Sequence, residues 1–321
     1  MTTPFFSVIV PVFNRASVLD AALQSVLAQS CQDFEIIVID DGSADNPRAV
    51  VERIGDPRIR FVRQENQGGG SARNTGINAA QGRFIAPLDS DDVFLPHHLE
   101  SMKTVLEGTT GVVGYARILC DRGDSRTFLR PPRAIGAKEN MGEYVLCERG
   151  FVPTITIVVE REMAQRVRYH PKLRAAEDVD FAIRLALEGC KFHMLEQPGA
   201  IWNDHDDPGR ASARNRAEAF GAWLSQMQPY LTASAWRGGR GWPYAKMLAH
   251  NGRKLEALRL YLAAVAHGCY RPRLSAVIFL QIFLNSKNYR ALANAGIGWF
   301  RMGLRESSAR KHAANKPLRT A

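Results

Sequence analysis

The sequence predicts an α/β fold, with a mostly parallel central sheet flanked by helices and a helical appendage at its C-terminal end. Three observations carry this prediction. Near-continuous apolar runs alternate with segments of helical periodicity through the first ninety or so residues, the pattern of a parallel sheet covered on both faces. Each apolar run leads into polar residues with turn and binding chemistry. Beyond Phe220 the apolar residues recur at helical spacing.

Residues 6–12 form the first β-rich run, and Val18, Leu19, Ala22, Leu23, Val26 and Leu27 follow at helical spacing. Residues 34–39, 59–62 and 84–88 are the second, third and fourth apolar runs. Ligands of such sheets bind outside the carboxyl ends of the strands. Here those ends carry Pro11, Phe13 and Asn14; then Asp40-Asp41-Gly42-Ser43; then Asn66 to Asn74, with Gly68-Gly69-Gly70 and Arg73; and finally Asp89-Ser90-Asp91-Asp92. Asp40 to Ser43 also reads as ordinary turn and capping chemistry. The glycine triplet lacks the spacing of a nucleoside-triphosphate loop. Three carboxylates at one strand end repel one another unless a cation joins them, so residues 89–92 read as a divalent-metal site or as the cap of a helix expected to start at Pro96.

Further along, Glu177-Asp178-Val179-Asp180 opens a helix whose buried side is Phe181, Ile183, Leu185, Ala186 and Leu187. Acids in a first turn interact favourably with the helix dipole, which explains them as well as catalysis does. His205 sits in a polar stretch after Trp202, with Arg210 and Ser212 following.

With 321 residues and 45% hydrophobic content the chain can bury a large core, and disorder is not the expected state. The five cysteines, Cys31, Cys120, Cys147, Cys190 and Cys269, include no Cys-x-x-Cys pair. That spacing argues against a zinc site or a disulfide framework. No apolar run reaches a membrane span, so the expected location is cytoplasmic. Charge divides the chain. Residues 221–321 hold 16 Lys/Arg against Glu256 and Glu306, a net +14, whereas residues 1–220 carry −4. Two regions are therefore expected, 1–220 and a basic, helical 221–321.

The ordered motifs Val8 to Asn14, Ile39 to Ser43, Ala72-Arg73-Asn74-x-Gly76, Leu88 to Asp92 and Glu177 to Phe181 closely resemble those of family 2 inverting glycosyltransferases of the GT-A fold, a Rossmann-like architecture, and of their bacterial surface-glycan type. The resemblance covers roughly residues 7–220. It implies that Pro11, Phe13 and Asn14 wall the nucleoside, that Asp40 or Asp41 accepts from the base, and that Arg73 contacts the sugar nucleotide. Asp89-Ser90-Asp91 corresponds to the metal motif, with Asp91 as ligand, Asp89 nearer the ribose and Ser90 beside it. His205 corresponds to a histidine that approaches the metal or diphosphate. Asp178 corresponds to the general base, with Glu177, Asn66 and Asn74 in support.

What the resemblance implies chemically is a non-processive transfer from a nucleoside diphosphate sugar, with UDP the expected nucleotide, to a glycan or lipid-linked saccharide. Mn²⁺ or Mg²⁺ is the expected cofactor. An ionised Asp accepts the acceptor hydroxyl's proton on one face of the sugar while the diphosphate leaves from the other. A non-catalytic nucleotide-sugar-binding module is the alternative from another class. A nucleotidyltransferase would be expected to have an N-terminal Gly-rich loop, and a processive synthase membrane spans and a Gln-x-x-Arg-Trp motif. The basic region 221–321 reads as a solvated face or tail, or as a contact with an anionic membrane surface that would hold the enzyme peripherally on the cytoplasmic face. Nucleic acid binding is disfavoured, since no recognition motif accompanies the charge.

Overall fold

The computed structural model describes residues 3–123, 127–171, 173, 176–203 and 216–284. The chain begins with strict alternation: β1 (Phe6–Val12), α1 (Ala16–Leu27), β2 (Phe34–Asp40), α2 (Pro47–Ile54), β3 (Ile59–Arg63), α3 (Gly69–Ala79) and β4 (Phe84–Pro87). It continues through β5 (Val93–Phe94), α4 (His98–Leu106), β6 (Val112–Asp121), β7 (Thr127–Arg130), α5 (Met141–Cys147), β8 (Val159–Glu160), α6 (Arg161–Val167), α7 (Glu177–Leu187) and β9 (Lys191–Asn203).

Strands 1 to 4 pair in parallel in the order β3-β2-β1-β4, and β8 closes the edge antiparallel to β4. The sheet is apolar on both sides because both sides are covered. Val8, Val10, Ile36 and Val38 face Leu19, Leu23 and Val26 of α1, while Ile9, Ile37 and Ile39 face Ala72 and Ile77 of α3. Alternation of side chains along a strand produces this division. The contact with α3 is so close that a Cβ on Gly76 would stand 2.3 Å from Ile9 Cγ2, which is why the motif ends in glycine.

A second sheet, β5-β9-β6-β7, was not expected from the sequence. Its long central pair, β6 and β9, runs parallel, with the register shifting on either side of Arg117, where β9 carries Pro198 and Gly199. The helix expected at Pro96 starts instead at His98, after the two-residue strand β5.

The remaining described residues are helical: α8 (Arg216–Met227), α9 (Ala233–Gly239), α10 (Ala245–His250), α11 (Lys254–Ala266) and α12 (Pro272–Phe283). The periodic stretch 248–265 is broken between α10 and α11 by Asn251-Gly252, with Gly252 at φ +85°. These helices join the core. One apolar cluster runs from Ile9 and Tyr144 through Phe181 and Trp223 to Leu248, Tyr261 and Ile278. The contact of α9 with α5 requires glycine at 238, where a Cβ would lie 2.4 Å from Cys147 Sγ. Among the described residues no helix is long and apolar enough to cross a membrane.

Candidate active site

The carboxyl ends of β1 to β4 make one rim, as the parallel order requires. At its first position Phe13 is 44% exposed, an aromatic face open at the strand end, with Pro11 partly buried behind it. Asn14 takes a positive φ of 52° and ties this loop to the next: its N–H donates to Ser43 Oγ (3.0 Å), and its Oδ1 accepts from the Ala44 N–H (2.8 Å).

Asp40 and Asp41, alike in sequence, do different things. Asp40 is wholly buried; its Oδ1 accepts from the Ser43 N–H at 2.8 Å. Its Oδ2 lies 3.2 Å from Arg63 Nη1 but lacks hydrogen-bond alignment. Asp41 gathers the loop after β3, accepting from Gln64 Nε2 and the Gln67 N–H through Oδ1 and from the Gly68 N–H through Oδ2. Asn66 is exposed in that loop, its backbone pressed against the Gly42 turn.

Arg73, on α3, is the hub. Its Nη2 donates to Asp89 at 2.5 Å, its Nη1 donates to Glu177 at 2.7 Å, and the guanidinium lies 5.2 Å above the Tyr169 ring. Burial works against its charge, but Asp89 and Glu177 more than offset that and hold it protonated. Asn74, one residue on, clamps the Tyr169 backbone with paired bonds of 2.8 Å, and Tyr169 in turn stacks on Phe181 of α7 at 4.2 Å. Asn74 thus acts through Tyr169 on the floor beneath Arg73.

At the end of β4, Ser90 is buried and Asp91 pairs with Arg15. Asp92 does not cap α4. It accepts from the Asn203 N–H at 2.8 Å, while the Asn203 amide donates to the Asp91 carbonyl. The acidic loop is therefore fastened to the end of β9. His205 lies two residues beyond, outside the described residues.

Across the cleft, α7 presents three acids in three directions. Glu177 meets Arg73. Asp180 is buried, bonded by Arg184 and by Trp223 Nε1 (2.7 Å) of α8. Asp178 lines a cavity of about 370 Å³, together with Arg73, Asp89, Asp92, Glu177 and Trp202. Burial pushes the Asp178 carboxyl up from its ordinary value, opposed by the Val179 N–H and by the charge of Arg130. Burial raises Glu177 also, with Arg73 opposing. The sequence does not single out Phe151 and Arg130: Phe151 lines the cavity, and the Arg130 guanidinium lies 4.5 Å from its ring and 6.0 Å from that of Trp202. An aromatic and an arginine from separate loops leave no local signal.

Among the described residues no three metal-type side chains converge. The donor set nonetheless fits a hard divalent cation, which is commonly bound by one or two carboxylates and completed by substrate phosphates and water. Asp89 and Asp91 are two such carboxylates on one loop, and in this structure each is paired with an arginine.

A parallel sheet with an acidic loop at a strand end and an acid-bearing helix opposite agrees with the GT-A fold. The family model described as glycosyl transferase family 2 matches residues 7–172. The amylovoran biosynthesis glycosyltransferase AmsB of Erwinia amylovora is 30% identical over 237 residues, 71% of this chain and 79% of that protein. Among solved structures, S. aureus TarS in complex with UDP-GlcNAc superposes with a TM-score of 0.61 at 18% identity, covering 93% of this chain and 92% of that one. The mannosyltransferase PcManGT of Pyrobaculum calidifontis, in complex with GDP-Man and Mn²⁺, gives 0.57 at 16% identity, covering 93% and 81%. The chain belongs to glycosyl transferase family 2.

Proposed function

We propose that the protein is a metal-dependent, inverting, non-processive glycosyltransferase, moving a sugar from a nucleoside diphosphate donor, UDP-linked in the first instance, to a hydroxyl of a glycan or lipid-linked saccharide. The observation that supports this most is that one cavity is lined by both Asp89 and Asp178, leaving space between an acidic strand end and a carboxylate on the far wall. The complexes of TarS with UDP-GlcNAc and of PcManGT with GDP-Man agree with a nucleoside diphosphate sugar as the donor class.

In this reading the loops of Pro11, Phe13 and Asn14 and of Asp40 and Asp41 receive the nucleoside, and Phe13 offers its exposed ring to the base. Asp91, with Asp89 and Ser90 beside it, would hold Mn²⁺ or Mg²⁺; His205, two residues beyond Asn203 in sequence, is a further candidate. The cation, when bound, supplies Lewis-acid stabilisation to the departing diphosphate. Asp178 accepts the acceptor hydroxyl's proton as it attacks. Its upward shift makes it a stronger base than an ordinary aspartate. Arg73 holds Asp89 and Glu177 in fixed relation, so the donor wall and the base helix keep their spacing. Residues 1–220 would supply this chemistry and 221–321 the appendage.

Asp178→Asn tests the assignment: transfer should be abolished while metal-dependent nucleotide binding persists, and retained transfer overturns the base. The donor would be found by thermal stabilisation across UDP-, GDP- and dTDP-sugars with and without Mn²⁺, since a bound ligand raises apparent stability as ln(1 + [L]/Kd). A peripheral membrane contact is supported by Leu255, Leu262 and Phe279, which are exposed on α11 and α12 near Arg253, Lys254, Arg259, Arg271 and Arg273. Co-sedimentation with anionic but not zwitterionic vesicles is the expected result.

A further inference from the structure

The lining of the cavity that holds Asp178 is of two kinds. The acids and Arg73 are used by the chemistry above; Phe151 and Trp202, flanked by Ile118, Pro153 and Ile155, are not, and they are apolar. The two aromatic rings lie 6.4 Å apart and are tilted by 36° from one another. Both pack against the buried apolar cluster that includes Ile118, Cys120 and Ala200. On β9 Trp202 stands in register with Cys120 of β6, and Ala200 with Ile118, so the strand that carries the indole is itself set in the core. The Arg130 guanidinium lies 4.5 Å over the Phe151 ring, an attraction that helps to hold it. Yet neither ring is fully buried, and both line the cavity.

Aromatic side chains already ordered by packing lose little further freedom when a ligand lands on them. A pyranose matches such a lining. Its C–H bonds point from the faces of the ring and its hydroxyls stand around the edge, so a face can lie on an aromatic ring while an edge hydroxyl meets Asp178. An apolar chain in the same place would strip water from Asp178 and return no hydrogen bond, which is costly. At about 370 Å³ the cavity lies near the lower end of the roughly 300–1,000 Å³ usual for small-molecule sites. That size suits sugar rings and not a long chain.

We propose that Phe151 and Trp202 form an aromatic platform for the acceptor, whose reacting hydroxyl belongs to a pyranose lying with a C–H face on these rings. The inference rests on the transferase reading of the cavity and adds to it the chemical class of the acceptor group and the residues that select it. Stacking fixes the plane of the sugar ring. With that plane fixed, only a hydroxyl on the edge turned towards Asp178 is presented for attack, so the platform orients the acceptor as well as holding it.

The test uses the full chain with UDP and Mn²⁺ present, so that the donor side is filled, and follows binding by saturation-transfer NMR. The probes are the methyl β-glycosides of glucose, galactose and N-acetylglucosamine and methyl α-mannoside, with dimethylallyl alcohol as apolar control. At least one glycoside is expected to bind wild type, with saturation strongest at the C–H protons of one ring face. Its affinity should fall about fivefold in Trp202→Leu and stay within about twofold of wild type in Trp202→Phe, since the aromatic face is lost in one and kept in the other. Circular dichroism reports the fold, and Phe151→Leu with Phe151→Tyr replaces that pair if Trp202→Leu does not fold. The platform is overturned by no glycoside binding in wild type, by saturation spread evenly over the sugar, or by an affinity unchanged in folded Trp202→Leu. Equal losses in Trp202→Leu and Trp202→Phe, or tighter binding of the alcohol than of every glycoside, overturn it too. Donor turnover by wild type is measured in parallel. Absence of nucleotide release from every donor sugar, with face-selective binding intact, refutes the transferase reading alone; nucleotide release without such binding refutes the platform alone.

Discussion

Removal of the Arg73 guanidinium is the perturbation that reaches furthest through this site. In Arg73→Met the stem over Tyr169 is kept and the charge is lost. The Arg73 side chain is 10% exposed, and its partners Glu177 and Asp89 are 18% and 33% exposed. Breaking a buried ion pair by deleting one partner costs about 3–5 kcal/mol, mostly for the charge left behind. Water reaches Asp89, so the lower end, about 3 kcal/mol at pH 7, is the expectation. The assay is urea denaturation followed by tryptophan fluorescence.

The pH dependence has a definite sign. Without Arg73 the Glu177 carboxyl is left with burial and the Asp89 and Asp178 charges, all of which raise it. A raised folded pKa means that the folded state binds more protons than the unfolded one, so the penalty is small below the ordinary glutamate range and grows as pH rises. The gap between variant and wild type should therefore narrow below pH 5. Glu177→Gln alone leaves Arg73 paired with Asp89 and should cost about 1 kcal/mol; in the Arg73→Met background it should recover about 2 kcal/mol. A loss below about 1 kcal/mol at pH 7, or a double variant whose losses simply add, would refute the description of Arg73 as a hub.

Three other substitutions probe the framework. His98 is buried without a hydrogen bond to either ring nitrogen, and burial lowers its pKa to about 3; its neutral form is stable in the fold, so stability is lost as pH falls from about 6.5 towards 3, by about 1.4 kcal/mol per unit. In denaturation series, His98→Leu should show a slope shallower than wild type by that amount between pH 6 and 4, and an unchanged slope contradicts the expectation. Gly76→Ala drives a methyl into Ile9 and should cost about 1–3 kcal/mol of unfolding free energy, partly recovered by Ile9→Val; additive losses would remove the steric cause. Trp223→Phe deletes the bond to buried Asp180 and should cost about 1.5–3 kcal/mol in urea denaturation, with Asp180→Asn in the same background costing little more; a silent Trp223→Phe would show that the bond does not hold α7.

The parallel strands of the first sheet were legible because β1, β2 and β4 are short, nearly continuous apolar runs buried on both faces, and the half-exposed β3 still carries Ile59, Phe61 and Val62; the two-residue β8 at the edge gives no such run. The second was not. Glu196, Gln197, Pro198 and Gly199 stand inside β9, and a strand with proline and polar residues in its middle reads as loop; the break is absorbed by the register shift around Arg117. The rim residues were legible as a set, because the ends of parallel strands fall together without any tertiary information. Their division of labour was not. Nothing local separates Asp41, which gathers a loop, from Asp40, which closes its own turn, or predicts that Asp92 would secure Asn203 and not a helix.

The three acids of α7 show how the fold chooses among identical chemical groups. At 3.6 residues per turn, successive side chains leave a helix about 100° apart, so Glu177, Asp178 and Asp180 cannot face one partner. One turns towards α3 and Arg73, one towards the cavity, and the third towards α8, where Trp223 meets it, with Arg184 one turn on along α7 completing its bonds. Fixing the outer two fixes the middle one, since the helix cannot rotate without breaking both. The direction of Asp178 is therefore set from two sides: by the parallel-sheet half of the molecule through Arg73, and by the helical half through Trp223. A basic appendage that contributed only charge would not need a buried hydrogen bond to the helix that carries Asp178. That bond makes the helical region part of what aims the Asp178 carboxylate.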